Sequence, residues 1–558
     1  MIDPWRIHAG HESLVESLAE SDERPQSSAT VTFALFVCRP SAVAITVAGP
    51  APARAAFHKH KTHRTTGLKT ILFLSFLTAI TPDRAAALEK PNILLIYADD
   101  IGYGDLGCYG AKKVLTPNCD KLAAAGLRFT DGHCVASVCT PSRYSLLTGE
   151  YAFRKPGTGI ASGIAGILIE PGRTTLPSMI QKAGYTTGVI GKWHLGLGSE
   201  PTDYNHPIKP GPREIGFDYN WIMPATGDRV PCVWLEGDHV VNLDPADPIR
   251  LDYTVKRGDK ESFLMGVPRI GGQTGGTAAL WKDTELSTVI AAKSCAFIES
   301  HQGKPFFLYM ATHNIHVPRV PNPKFIGKSD CGVRGDSIME FDWTVGQVLD
   351  QLDKLGLADN TLVILSSDNG GINDDNGPDK IHGIGDRDAT NGHRPNGVLR
   401  GTKGTVWEGG TRIPLIVRWP GKVKPGSSDA LVSQIDFLAS LAALTGGEIP
   451  KGQGPDSEDH LAALLGGDKG GREFLLEQSN NGAPFGFRSA NWKLLPRGDG
   501  KDAPQPALYN LADDLAETTN VAAAHPEIVA EMTNKLREIT GHLASDPKPG
   551  KWKKRAKQ

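Results

Sequence analysis

Cysteine is scarce in this chain, with eight in 558 residues. That is too few for a disulfide scaffold, and no group of them has the spacing of a zinc module. An excess of charge of one sign is also missing, since 60 basic residues face 62 acidic ones for a formal net charge of -2. No global field draws the chain to nucleic acid or to a membrane surface, so an anionic ligand must be caught by a local site. Internal repeats, a P-loop, a GxSxG elbow and an HExxH pair are all absent, which removes the chemistries those motifs carry. The one segment that resembles a membrane signal, residues 70–80 (TILFLSFLTAI), has eleven residues, well short of the roughly 20 that a spanning helix needs.

What is present is globular. Hydrophobic residues make up 40% and charged residues 22%, which excludes a wholly disordered chain. The 63 glycines and 39 prolines suit a loop-decorated α/β enzyme better than a helical bundle. Near the start, a basic stretch (residues 58–69) precedes the apolar one, and Ala85-Ala86-Ala87 follows. This is the layout of a secretory signal peptide, although an apolar core segment would also fit the run. About sixty residues precede it, so the reading includes a start assigned too early. Residues 1–87 are taken as a leader and the mature chain as an exported protein, periplasmic or secreted.

Several short apolar runs each stop at polar residues. Ile93 to Ala98 ends at Asp99-Asp100, Thr187 to Ile190 at Gly191-Lys192-Trp193-His194, Phe306 to Ala311 at His313 and His316, and Leu362 to Leu365 at Ser366-Ser367-Asp368-Asn369. Continuous apolar runs of this length predict strands buried on both faces, in a mostly parallel sheet. A helical pattern through Ile338, Phe341, Val345, Val348, Leu352 and Leu355, stopped by Gly356, lies between two of them. The predicted fold is α/β, a large sheet flanked by helices. In such sheets ligands bind at the carboxyl ends of the strands, so the four polar clusters should share one site. Residues 431–444 read as a helix, and 525–543 as a terminal one with Ile528, Met532 and Leu536 on one face. The catalytic domain is placed at 88–459 and a smaller α+β subdomain at 460–558, with a basic tail at 548–558.

The sharpest motif is Cys139-Thr140-Pro141-Ser142-Arg143, followed by Leu147-Thr148-Gly149. A cysteine near an arginine is ordinarily a packed thiol. This string, however, resembles the C-x-P-x-R maturation signature of the type I sulfatases, within the alkaline phosphatase superfamily. The resemblance runs from about residue 91 to 420, with an echo in Leu508-Tyr509-Asn510-Leu511. It implies that Cys139 is oxidised to formylglycine by a maturation enzyme, and that the hydrated aldehyde is the nucleophile.

Oxygen donors at two strand ends select a hard cation over zinc, and without one, three facing carboxylates would repel. The resemblance implies Ca²⁺ in preference to Mg²⁺, held by Asp99, Asp100, Asp368, Asn369 and the modified Cys139. Lys192 and His194 lie in a block similar to the family's GKWHLG. His316 lies in an element similar to its H-x-P, and Lys403 in Gly401-Thr402-Lys403-Gly404, upstream of Glu408-Gly409-Gly410-Thr411-Arg412. His313 has a packing or supporting role as its alternative.

Charge orders the implied chemistry. The cation, Lys192 and Lys403 hold the sulfate oxygens, and Arg143 assists the nucleophile at 139. His316 protonates the leaving group, and His194 helps the second hydroxyl of the hydrate expel sulfate. Thr226 and Asp228 are named as substrate contacts, with an ordinary turn as the bland reading. Trp234, Tyr253 and Trp281, in an insertion over residues 229–281, could stack on sugar rings or form local core. The substrate class is a sulfated carbohydrate, with aryl sulfates as surrogates. Setting aside Cys38 and Cys139 leaves six cysteines, an even number compatible with up to three disulfides. Two other readings stay open: a phosphonate or phosphodiester hydrolase of the same superfamily, and a catalytically dead binder of sulfated glycans.

Overall fold

The computed structural model describes residues 90–372, 390–480, 482–498 and 505–541. The leader at 1–87 and the basic tail lie outside these residues. Ten strands form the main sheet: β1 (Asn92–Ala98), β2 (Leu127–Phe129), β3 (Thr186–Lys192), β4 (Tyr219–Met223), β5 (Leu235–Glu236), β6 (His239–Val240), β7 (Phe306–Ala311), β8 (Thr361–Ser367), β9 (Leu415–Arg418) and β10 (Gly426–Ser428). Their order is β10-β2-β9-β8-β1-β7-β3-β4-β5-β6. The five in the middle, β8-β1-β7-β3-β4, are parallel, so their carboxyl ends open on one edge.

The apolar runs form central strands because both faces of the sheet are covered. Successive side chains of β1 point to opposite faces, and Ile93, Leu95 and Tyr97 join one core while Leu94, Ile96 and Ala98 join the other. The first core includes residues of helix α1 (Cys139–Thr148), and the second those of α2 (Leu286–Ser300) and α3 (Gly332–Lys354). Helix α3 contains the predicted 3/4 spacing, and Gly356 follows its end with φ +68°. Among the described residues, no helix is long and apolar enough to cross a membrane.

One helix begins later than expected. Instead of spanning 431–444, the segment starts with a two-residue strand, Val432–Ser433, and helix α4 covers Phe437–Thr445. Tertiary hydrogen bonds override the local pattern. Buried Gln434 accepts from the Tyr97 hydroxyl at 2.5 Å and donates to Ser366 Oγ at 2.8 Å and the Ser367 carbonyl at 2.6 Å, which holds the chain in its turn before α4.

The smaller C-terminal part is an antiparallel sheet of β11 (Phe474–Ser479), β12 (Gly482–Ser489), β13 (Trp492–Leu495) and β14 (Ala507–Asn510), covered by α5 (Pro526–Thr540) through Met532 and Leu536. It is fastened to the main body by buried charge. Glu408 meets Lys493 at 2.9 Å, Arg412 at 2.6 Å and Arg488 at 3.2 Å, and His133 meets Glu477 at 2.8 Å. Burial opposes ionisation of Glu408, but Lys493, Arg412 and Arg488 hold it well below the ordinary carboxylate range. Replacing Glu408 by Gln leaves three cations short of a partner and is expected to destabilise the fold by about 3–5 kcal/mol. Chemical denaturation against the parent protein checks this.

Candidate active site

The polar clusters predicted at four strand ends do meet. Asp99 and Asp100 follow β1, Lys192 ends β3 with His194 two residues beyond, His313 and His316 follow β7, and Asp368 and Asn369 follow β8. All eight are buried. Asp100 and His194 are non-glycine residues in the left-handed region, at φ +63° and +58°. Such backbone is retained where surrounding contacts over-determine it, and it clusters at working sites.

Each of the three carboxylates has a cation of its own. Lys192 Nζ lies 2.6 Å from Asp99 Oδ1, Arg143 Nη2 2.8 Å from Asp368 Oδ2, and Lys403 Nζ 2.6 Å from Asp100 Oδ1. Burial pushes against the charge on Asp99, yet Lys192 and the neighbouring His316 hold it well below its usual range. Burial instead raises the Asp368 carboxyl, with Asp99 and Asp100 adding to the shift against Arg143 and Lys192. Lys403 is kept charged against burial by Asp100, with Cys139 and Asp99 assisting.

The donor set fits a hard divalent cation. Oxygen atoms of Asp99, Asp100 and Asp368 all lie within 4.8 Å of one another. Asp100 Oδ2 and Asn369 Oδ1 are buried with no hydrogen-bond partner, a costly state that a bound cation relieves. Asn369 Nδ2 donates to Asp100 Oδ1 at 2.7 Å, which leaves the amide's own Oδ1 for another contact. A second candidate cluster, Asp131, His133 and Glu408, is already matched by Arg412, Arg488 and Lys493.

Cys139 opens α1 and is buried; its Sγ falls within 4.8 Å of both an Asp99 oxygen and a His316 ring nitrogen. The first-turn amides of a helix favour negative charge at such a position. The strand-like segment before it is held by the C-terminal subdomain, as Ser137 N donates to the Gln478 carbonyl at 3.0 Å and Gly404 N to the Ser137 carbonyl at 2.7 Å. Lys403 and Cys139 are therefore set by one hydrogen-bonded seam. Arg143 is fully buried, donates to Tyr309 Oη at 3.1 Å and lies over the Tyr97 ring at 5.2 Å.

The histidines differ in their partners. His194 Nε2 lies 3.0 Å from the Ala161 carbonyl, so Nε2 carries the proton, and Nδ1 is buried without a partner. Burial, then Lys192 and Arg229, hold this imidazole well below its ordinary value. His316 Nδ1 lies 2.6 Å from the Val317 carbonyl and therefore donates, leaving Nε2 as the available nitrogen. Burial lowers its pKa against the pull of Asp99. His313 takes the supporting place: Nδ1 is 3.1 Å from Asp99 Oδ2, and Nε2 accepts from Gly227 N at 3.1 Å.

The structure also places the other residues named from the sequence. Thr226 and Asp228 are buried and hydrogen-bonded to each other, and Arg229 donates to Asp228 Oδ1 at 2.7 Å. Trp234 and Trp281 are core, with ring centroids 6.0 Å apart. Tyr253 spends its hydroxyl on the Val230 carbonyl and Gly163 N. The six cysteines Cys108, Cys119, Cys134, Cys232, Cys295 and Cys331 are all free; Cys134, for one, donates to the Thr411 carbonyl at 3.3 Å.

Sequence reasoning missed the clamp behind Asp100. Buried Asp105 accepts from Gly102 N at 2.7 Å and from Arg334 and His393, the histidine at 2.7 Å. Arg334 Nη2 also donates to the Asp100 carbonyl at 3.2 Å. Arg334 and His393 lie hundreds of residues away in sequence, so no local signal marked them. Replacing Asp105 by Asn is expected to weaken cation binding about 10–100-fold, measured by calorimetry on the purified protein.

The architecture and this cluster define a class, and comparison with known proteins names it. The sulfatase family profile matches residues 91–447. The chain is 45% identical over 492 residues to the N-acetylgalactosamine-6-O-sulfatase of Bacteroides thetaiotaomicron, covering 82% of this chain and 95% of that protein. It is 36% identical over 485 residues to human arylsulfatase A, covering 82% and 88%. A solved structure described with the metabolism of multiple glycosaminoglycans by B. thetaiotaomicron superposes with a TM-score of 0.77 at 45% identity, over 81% of this chain and 99% of that one. This chain belongs to the sulfatase family and is a sulfuric ester hydrolase.

Proposed function

We propose that the chain removes sulfate from a sulfated carbohydrate, with the 6-sulfate of N-acetylgalactosamine as the first substrate to test. One observation carries the reading of the site: Cys139 Sγ lies beside the carboxylate cluster of Asp99, Asp100 and Asp368, within a chain similar to an N-acetylgalactosamine-6-O-sulfatase. Ca²⁺, held by Asp99, Asp100, Asp368 and Asn369, would supply Lewis-acid stabilisation of sulfate oxygens. Formylglycine made from Cys139 by a maturation enzyme would supply the nucleophilic hydroxyl and a second one for release of sulfate. Export through the leader at residues 1–87, with its basic stretch, apolar run and Ala85-Ala86-Ala87, belongs to the same proposal.

The chain's own residues do the rest. Lys192 and Lys403 are donors for the ester's oxygens, and each gives up part of its carboxylate contact as the anion arrives. Arg143, fixed by Asp368 and Tyr309, keeps positive charge under the nucleophile. His194 takes a proton at its unpartnered Nδ1. His316 must gain a second proton at Nε2 before it can give one to the leaving oxygen, a gain that the bound anion favours.

Mass analysis of the peptide from Phe129 to Arg143, after co-expression with a formylglycine-generating enzyme, combined with turnover of N-acetylgalactosamine 6-sulfate and of a matched phosphate ester, tests the reading. Formylglycine at 139 with preferential sulfate release is expected. A persistent thiol beside a converted control sulfatase, or preference for the phosphate ester, overturns it. A pH profile adds an independent check. Because the His194 imidazole lies below 6.5, it stays an acceptor through neutrality, and protonation disables it only in acid. The acid limb of kcat should fall below pH about 6.5, and a limb above that value contradicts the role.

A further inference from the structure

The turn after β4 is tied to the centre. His194 N donates to the Pro224 carbonyl at 3.1 Å, and Gly227 N donates to His313, which in turn contacts Asp99. Gly227 must be glycine for this approach, since a Cβ there would lie 2.5 Å from His313 Nε2. In the same turn buried Asp228 offers Oδ1 to Arg229 at 2.7 Å, while Oδ2 faces Arg257 Nη1 at 4.0 Å, beyond hydrogen-bond reach. One carboxylate thus serves two guanidiniums, which leaves one positive charge in excess.

Arg229 and Arg257 are largely shielded, with side chains 14% and 17% exposed. Arg257 Nε and Nη2 make no hydrogen bond. Arg143, by contrast, directs its fork to Asp368 and Tyr309, and Arg269 its two terminal nitrogens to the Gly227 carbonyl and Asp283. A guanidinium removed from water without an acceptor is costly, and the acceptor that matches its planar fork is a carboxylate or an oxyanion face. Arg229 also contributes to the lowered pKa of His194, which sets Arg229 near the reacting end. Residue 257 belongs to the insertion at 229–281, whose Trp234 and Trp281 are core.

We propose that Arg257 and Arg229 form a second anion subsite next to the sulfate centre, which receives a carboxylate or an additional sulfate carried by the sugar. The proposal rests on the carbohydrate sulfatase reading above and narrows the substrate class to sugars with two anionic groups. Its test is calorimetry on the full chain carrying Cys139→Ala, with three ligands: N-acetylgalactosamine 6-sulfate, its 4,6-disulfate, and a uronic-acid disaccharide of the 6-sulfate.

At least one doubly anionic ligand should bind about tenfold tighter than the monosulfate, and which one does so separates a sulfate from a carboxylate. Arg257→Gln should reduce that preference to under about twofold, whereas Arg257→Lys, which keeps the charge without the fork, should retain part of it. Absence of the preference in the parent protein, or its persistence in a Gln variant of equal melting temperature, overturns the subsite. Turnover of the monosulfate by the matured, unsubstituted protein distinguishes the failures. Turnover without preference overturns the subsite alone, and neither turnover nor binding of any of the three overturns the carbohydrate reading with it.

Discussion

The protein with Cys139 replaced by serine should turn over sulfate esters at least about 10⁴-fold more slowly than the matured, unsubstituted protein, the scale seen when a nucleophile is removed. Serine retains one hydroxyl, so it can still attack sulfur beside Arg143 and the Asp99 cluster. It has no second hydroxyl whose deprotonation expels sulfate, and the ester on serine should persist. Incubation with substrate followed by mass analysis of the peptide from Phe129 to Arg143 should then show one added sulfuryl group. Cys139→Ala should show neither turnover nor that addition. A packing role for the buried thiol predicts a different result, because serine would then preserve activity at some expense of stability. Full multiple turnover by the serine variant would remove Cys139 from the chemistry.

Chelation, or Asp100→Asn, should reduce activity by about 10³-fold or more, because cation stabilisation of the sulfate oxygens is worth several kcal/mol. The charge arithmetic says what a divalent ion would add. Asp99, Asp100 and Asp368 are matched one for one by Lys192, Lys403 and Arg143, so these six residues sum to zero and offer an incoming anion no net attraction. A dication would raise the sum to +2 and give the unpartnered Asp100 Oδ2 and Asn369 Oδ1 a partner. Added Ca²⁺ should stabilise the unsubstituted protein by about 2.7 kcal/mol at 100 times its dissociation constant, raising its melting temperature. Asp100→Asn should abolish most of that rise. An equal rise in the variant, or activity that survives exhaustive chelation, would contradict the site.

Much of this was legible because the central strands are local objects. A run such as Ile93–Ala98 is buried on both faces, so it is apolar throughout, and the polar residues that stop it are by construction at its carboxyl end. The strands neighbour one another, and their four terminal clusters converge. The insertion was less legible. An aromatic side chain has the same composition whether it stacks on a sugar or on another tryptophan, and Trp234 meets Trp281. Residues 431–433 depart from the expected helix for a related reason, since the 3-10 turn that follows them, Gln434–Asp436, is held by Tyr97 and Ser366, partners that lie far away along the chain.

By itself, then, the sequence determined the α/β sheet, the strand ends that meet, the Cys139 motif and the family, since each depends on residues close together in the chain. The tertiary structure decided how the carboxylates and cations pair, which nitrogen of His194 is unpartnered, that Asp105 and Arg334 clamp Asp100, that the cysteines among the described residues remain free, and that Arg257 Nε and Nη2 have no hydrogen-bond partner. The physical reason is that a charge, a hydrogen bond or a thiol acquires its character from what the fold places within a few ångströms, and most of those partners come from distant parts of the chain.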